Sequence, residues 1–138
     1  MGMVGWSRWQ PLRRVGTPEF TPHGTRVKVR VWTKGGPPGG RDWQGYFTSK
    51  ASQTRIDAFF DVRPVGNRYP ITGSCGEDDL DKYIETLDAA IEHANTKFQA
   101  DVLPNLVAQE AQARHEKDAA KKRQASLNKK AKKLARPE

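Results

Sequence analysis

Alternation of hydrophobic and polar residues predicts two clear β-strands in the first half of the chain. Over residues 26–32, three valines occupy every second position, and basic residues and Trp32 occupy the positions around them. A period of two puts the valines on one face of a strand, and β-branched residues suit such a half-buried surface. Residues 55–63 alternate more regularly, and their inward positions are Ile56, Ala58, Phe60 and Val62.

A third strand is predicted at residues 42–49, where Trp43, Gly45 and Phe47 alternate with polar or aromatic residues. The glycine and proline run over residues 35–40 favours a loop, because it can sustain neither a helix nor a strand ladder. Because this loop is short, the strands predicted at residues 26–32 and 42–49 are expected to pair as an antiparallel hairpin.

The remaining strand signals are weaker. Residues 69–72 could form a fourth, short strand, which Pro70 would confine to a sheet edge. Residues 1–25 contain three prolines and are expected to be irregular, apart from one short strand around residues 12–15. We expect Trp6 and Trp9 to cover one side of the core.

An apolar stripe predicts a helix of more than five turns in the second half of the chain. Ser74 and Glu77 have the spacing of a capping box, so the helix is expected to begin near residues 74–79. We expect the stripe to pack against the valine face of the sheet, and Pro104 to kink or end the helix. The stripe consists of Leu80, Ile84, Leu87, Ile91, Ala94 and Phe98.

A second helix, roughly 45 Å long, is predicted over residues 105–134, which are rich in strong helix formers. One apolar row does not make a coiled-coil seam, and the row beside it is polar, so we expect little of this helix to be buried. The apolar row, with one member every seven residues, is Leu106, Ala113, Ala120, Leu127 and Leu134.

Together these elements predict an α+β fold. An antiparallel sheet of three to four strands is covered by one amphipathic helix, and a long basic C-terminal helix follows. The chain has room for one compact domain, which we expect at residues 1–103, with residues 1–25 as its irregular N-terminal segment. Residues 104–138 are expected to form a basic helical arm.

Positive charge is concentrated at the C-terminus. Residues 114–138 carry ten Lys or Arg against three acids, a net of +7, which leaves +1 of the total +8 for residues 1–113. Such asymmetry is typical of proteins that bind nucleic acid, an acidic protein or an anionic membrane surface. A membrane-bound helix would need large apolar residues opposite its cations, and here that side is mostly alanine, so we expect no membrane partner.

The basic arm is the first candidate site. Lysine acts as a point charge, and neutralising phosphates releases counterions, so the arm would bind DNA or RNA without sequence readout. The alternative is a solvated tail that only aids solubility. The candidate residues are Lys117, Lys121, Lys122, Arg123, Lys129, Lys130, Lys132, Lys133 and Arg136.

The outer face of the predicted sheet is a second, weaker candidate. Exposed aromatic residues beside arginines can hold single strands by stacking, and Phe59 and Tyr46 are expected to share this face. Asp57 and Asp61 lie there too, so cross-strand ion pairs explain the mixture equally well. The basic and aromatic candidates are Arg26, Lys28, Arg30, Trp32, Arg55 and Arg63.

Catalytic and metal chemistry are not indicated. Cys75 is the single cysteine, so an internal disulfide is excluded. Its position at the predicted helix start would stabilise a thiolate, and we expect a partly buried or modestly reactive thiol. The three histidines lack the spacing of zinc ligands. We therefore expect a non-enzymatic protein without cofactor or metal, located in the reducing cytoplasm and without a membrane span.

Two functions remain open at this point. The first is a small nucleic-acid-binding protein whose arm contacts phosphates. The second is a protein-interaction or assembly factor, for example a virus-encoded one, whose C-terminal helix docks on a protein partner and buries its apolar row. The sequence does not indicate an oligomeric state.

Overall fold

The chain forms a four-stranded sheet and three α-helices in the part that a computed structural model describes, which is residues 5–37, 41–63 and 68–137. The predicted α+β class is confirmed. In chain order, the elements are β1 (Arg13–His23), β2 (Arg26–Lys34), α1 (Arg41–Ala51), β3 (Ala58–Val62), β4 (Ile71–Cys75), α2 (Leu80–Lys97) and α3 (Leu103–Lys133).

The strands pair in the order β1-β2-β4-β3, and every neighbouring pair is antiparallel. The two regularly alternating segments of the sequence form β2 and β3, as predicted. The three valines of β2 are buried, and Val31 lies in register with Ile71 and Val62 on the same face. Strand β3 begins at Ala58, three residues later than the alternation suggested.

The short strand predicted around residues 12–15 is the beginning of the longer edge strand β1, which continues to His23 and pairs with β2, so residues 16–23 are not irregular as predicted. A register shift between Val15 and Glu19, with Gly16 at φ +70°, interrupts the pairing. Prolines are tolerated here because an edge strand leaves one row of backbone groups outside the ladder. Most side chains of β1 are exposed, so the strand produces no hydrophobic alternation in the sequence.

Strand β4 lies in the middle of the sheet, so the prediction of an edge strand at residues 69–72 is wrong. Pro70 does not restrict the ladder, because the strand begins one residue later, at Ile71. Ser74 belongs to β4 and cannot cap α2. Asp79 occupies the cap position without a side-chain hydrogen bond, so the capping-box interpretation is also wrong.

Helix α1 replaces the strand predicted at residues 42–49, so the expected hairpin with β2 is wrong. Strand β2 has β1 and β4 as its neighbours instead. Gly45 is exposed on α1. Because it lies two residues from both Trp43 and Phe47, the sequence shows a period of two that wrongly indicated a strand. Residues 38–40 of the predicted loop lie outside the described residues. The buried positions of α1 follow helical steps of four and are Trp43, Phe47 and Ala51.

Helices α1 and α2 pack on the valine face of the sheet, so two helices form the covering layer where one was predicted. The Trp43 ring stacks on Phe47 at 5.6 Å and meets Tyr69 edge-on at 5.1 Å. Phe60 of β3 stacks on Tyr83 of α2 at 4.3 Å. The predicted stripe of α2 is confirmed. Its buried members are Leu87, Ile91 and Ala94, followed by Phe98 just beyond the helix, whereas Leu80 and Ile84 are half-buried.

A π-helical segment at Phe98–Val102 joins α2 to the long helix α3. Helix α2 ends at Lys97, seven residues before Pro104, and Pro104 itself lies in the first turn of α3. Trp6 and Trp9 pack on Phe98 and cover that end of the core, as predicted. Helix α3 contains 31 residues and spans about 46 Å, and little of it is buried, as expected.

Candidate nucleic-acid interface

The basic arm is an exposed helix over most of its length. Every described residue from 111 to 137 is exposed. Within the described part of the chain, one ion pair involves the arm, and it joins Arg114 to Glu110 at 3.5 Å. The predicted cations have no acidic partner among the described residues, and they are Lys117, Lys121, Lys122, Arg123, Lys129, Lys130, Lys132, Lys133 and Arg136.

The cations of the arm spread over about two-thirds of the helix circumference, at about 100° per residue. Lys121 and Lys132, about three turns apart, project in nearly the same direction. The strip without cations holds alanines together with Leu127 and Leu134, which are 51% and 72% exposed. A surface of this kind can follow a phosphate backbone, but it offers few groups that read base edges.

The sheet face opposite the helices is also exposed, and its side chains lie in rows across the strands. Its central residues surround a shallow depression of about 520 Å³. This face combines bases with acids, so it is not a continuous positive surface. One row is Thr21, Lys28, Ser74 and Phe59, and the next is Glu19, Arg30, Thr72 and Asp61.

Two of the predicted arginines beside this face are held by acids. Arg26 Nη1 lies 3.0 Å from Asp57 Oδ2, and Arg26 Nη2 donates to the carbonyl oxygens of Asp57 and Ser74, each at 3.2 Å. Arg63 follows β3 and pairs with Asp61 at 3.1 Å. Arg26 on β2 thus pairs with an acid that precedes β3, whereas Arg63 pairs with a residue two positions away in its own segment.

Two other expected members of the sheet face lie elsewhere. Arg55 is exposed in the bend that precedes β3. Tyr46 is half-buried on α1, so its predicted place beside the sheet arginines is wrong. Lys28 and Arg30 do lie on the exposed face of β2, and neither pairs with an acid among the described residues.

A second depression, of about 870 Å³, lies at the end of this face, and we call it the Trp32 depression. Arg30 places its guanidinium carbon 5.8 Å from the centre of the Trp32 ring, which is a cation–π contact. No acid is among the described residues that line the depression. The lining side chains that bear charge or a ring are Arg30, Trp32, Lys34, Arg68, Tyr69 and Pro70.

Lys34 and Arg68 were missed by the sequence reasoning. Lys34 continues the alternation of Arg30 and Trp32 by one more step, because β2 extends to Lys34 where the prediction ended it at residue 32. Arg68 reaches the depression because the chain returns antiparallel to β2 as it enters β4. The sequence signal for Lys34 was present in the period of two, whereas Arg68 depends on a long-range pairing.

Cys75 ends β4 and is fully buried, so its predicted position at a helix start is wrong. Burial raises the pKa of its thiol, and the negative charge of Asp79 acts in the same direction. A thiol in this setting is a poor nucleophile at neutral pH. Among the described residues, no three His, Cys, Asp or Glu side chains are grouped to hold a metal ion.

Comparison with protein-family models, with curated proteins and with solved structures finds no match for this chain. Within the described part of the chain, none of the helices combines the length and apolar character that crossing a membrane requires. A functional assignment therefore depends on the charge and geometry of the chain itself.

Proposed function

We propose that this is a small, non-catalytic nucleic-acid-binding protein whose basic arm contacts DNA or RNA phosphates without reading sequence. One observation carries the proposal: from Lys117 onward, the lysines and arginines of helix α3 are exposed, and none of them forms an ion pair with a described acid. An uncompensated density of positive charge on one element is the usual electrostatic footprint of a polyanion-binding surface.

Counterion release supplies the free energy of such binding. Each phosphate that a cation neutralises lowers the slope of log affinity against log salt by about 0.9 on duplex DNA. An arm that engages six phosphates would therefore give a slope of roughly −5. Lysine needs no fixed geometry to do this, so affinity should vary little between sequences of equal length.

The proposal places the protein in the cytoplasm. The supporting feature is Cys75, which is a free, buried thiol with no other cysteine in the chain to pair with. Free thiols persist in reducing compartments.

The test compares two full-length variants that lose the same charge at different places. Glutamine is a good helix former, so the arm variant should keep α3 intact. The arm variant carries glutamine at Lys121, Lys122, Lys129 and Lys130. The control variant carries glutamine at four cations of the folded body away from the sheet face, which are Arg8, Arg41, Lys50 and Lys82.

Fluorescence anisotropy with a short labelled duplex of mixed sequence measures affinity across a salt series. We expect the arm variant to bind at least tenfold more weakly near 0.1 M salt, with a salt slope shallower by roughly 3 to 4. Deletion of residues 114–138 should weaken binding further. Equal losses in the arm and control variants, or no wild-type binding to DNA or RNA at low salt, would contradict the proposal.

A second candidate is a protein-interaction or assembly factor that docks α3 on an acidic protein partner. The observation that favours it is the exposure of Leu127 and Leu134 on the strip of α3 that carries no cations. Partner capture from a nuclease-treated lysate separates the two functions. Capture that survives nuclease and is lost on changing both leucines to glutamine would favour this second function.

A further inference from the structure

Two exposed aromatic side chains lie beside different depressions of the open sheet face. Trp32 is 44% exposed and alternates along β2 with the cations Arg30 and Lys34. Phe59 of β3 is 59% exposed, and the acids two residues to either side of it, Asp57 and Asp61, are ion-paired with Arg26 and Arg63. The Trp32 depression is therefore lined by cations with no acid among its described residues, whereas the depression that Phe59 lines also contains Glu19.

We propose that the Trp32 depression binds an unpaired base of single-stranded nucleic acid. The base stacks on the Trp32 ring, and the flanking phosphates contact Arg30, Lys34 and Arg68. This inference rests on the proposed function, because it needs nucleic acid as the partner, and it adds a preference for single strands that the arm alone does not provide.

The geometry of β2 suits this role. Residues two apart on one strand face lie about 6.6 Å from each other, so Arg30 and Lys34 bracket the Trp32 ring at equal distances along the strand. Arg68 adds a third cation to the lining, and no acid is among the lining residues that the structure describes. Although the Arg30 guanidinium lies over the ring, 5.8 Å from its centre, Trp32 is still 44% exposed.

Stacking also explains why the ligand should be single-stranded. An unpaired base offers a free π-face to an aromatic side chain, whereas bases in a duplex are already stacked on each other. Residues 104–138 contain no Phe, Tyr or Trp, so the arm lacks the large aromatic rings on which unpaired bases stack most strongly. Trp32 can, because its ring is exposed among cations.

The test uses full-length protein and two labelled probes, an oligo-dT of about 16 nucleotides and a duplex of equal length. We expect Trp32→Ala to weaken oligo-dT binding about tenfold and to change duplex binding less than twofold. Trp32→Phe keeps an aromatic ring and should stay within about threefold of wild type. Phe59→Ala is the matched control, since it removes a more exposed aromatic from the same face, and it should leave both affinities unchanged.

Two further measurements examine the cations and the stacked ring. Changing Arg30, Lys34 and Arg68 together to glutamine should make the salt slope for oligo-dT shallower by roughly 2, at about 0.7 per phosphate. Oligo-dT should quench part of the intrinsic tryptophan fluorescence of the wild type, and Trp32→Phe should abolish that quenching. Circular dichroism establishes that each variant is folded.

The outcomes separate this inference from the proposed function. If Trp32→Ala weakens neither probe, or weakens both equally, the inference is wrong while arm-dependent duplex binding stands. If the wild type binds neither probe at low salt, the proposed function fails first. Binding of poly-glutamate that depends on Trp32, without binding of oligo-dT, would assign the depression to an acidic polypeptide and overturn the inference.

Discussion

Replacing Asn95 with alanine should destabilise the protein by about 2 to 4 kcal/mol, because this one side chain connects three segments of the chain. Asn95 Oδ1 accepts hydrogen bonds from Trp43 Nε1 at 2.9 Å and from the Leu12 amide at 3.0 Å. Asn95 Nδ2 donates to the Leu12 carbonyl oxygen at 2.8 Å. These bonds link α2 to α1 and to the segment that precedes β1.

The magnitude follows from burial. Trp43 has no exposed surface, so water cannot replace the acceptor that its indole N–H would lose. An unsatisfied buried donor costs about 1 to 3 kcal/mol. The partly buried backbone groups of Leu12 add about 1 kcal/mol more. A loss of this size is a large share of the roughly 5 to 15 kcal/mol that stabilises a typical domain.

Urea unfolding followed by circular dichroism measures the free energy of unfolding. Asn128→Ala is the matched control, because Asn128 is exposed and its side chain bonds to Gln124 within α3, so we expect a change below about 0.5 kcal/mol. A double-mutant cycle with Trp43→Phe should give a coupling of about 1 kcal/mol or more. A near-neutral Asn95→Ala variant, or a cycle without coupling, would show that the Asn95 side chain does not stabilise the junction of these segments.

Four further predictions concern stability and burial. Gly73→Ala should lower the free energy of unfolding by about 1 to 3 kcal/mol, because a Cβ there would overlap a β3 carbonyl oxygen and the Tyr83 hydroxyl. Gly45→Ala, in open space on α1, should raise it by about 0.5 to 1 kcal/mol, and urea unfolding measures both. Burial raises the pKa of Cys75 from its ordinary value of 9.0 and that of Tyr83 from 10.0. The unfolded chain therefore loses these protons first, and stability should fall as pH rises above about 9, less steeply in Tyr83→Phe. Labelling of the Cys75 thiol should follow the unfolded fraction in urea, and rapid labelling of the native protein would contradict its burial.

Elements were predicted correctly where their buried positions repeat with the period of a strand or of a helix. The valines of β2 and the stripe of α2 are buried at steps of two and of three or four, so the pattern and the core coincide. Helix α1 was not predicted, because only three of its positions are buried and Gly45 completes an apparent period of two that is typical of a strand. The part of β1 beyond the predicted short strand was missed because its side chains are mostly exposed, so its backbone pairing with β2 leaves no hydrophobic alternation in the sequence.

The candidate sites divide in the same way. The arm could be identified from composition, since its charge is local in sequence and its helix needs little tertiary support. The Trp32 depression could be only partly identified, because Arg30 and Trp32 share one strand whereas Arg68 arrives by the return of the chain at β4. The sequence likewise could not show which cations of the sheet face are ion-paired. The structure shows that Arg26 pairs with Asp57 and Arg63 with Asp61.

The two proposed contacts act over different ranges, and this has a kinetic consequence. Residues 1–113 carry +1 and residues 114–138 carry +7, so the long-range field comes mainly from the arm. Charges at the margin of a contact mainly accelerate association, and salt screens them over about 10 Å at 0.1 M. A stacked ring acts only after contact, so it governs how slowly the ligand leaves. Neutral arm variants should therefore slow association with oligo-dT, whereas Trp32→Ala should speed its dissociation, and stopped-flow anisotropy distinguishes the two. If arm variants instead sped dissociation and Trp32→Ala slowed association, the arm would be the docking surface and the sheet would steer the ligand. The near-neutral charge of residues 1–113 argues against that outcome.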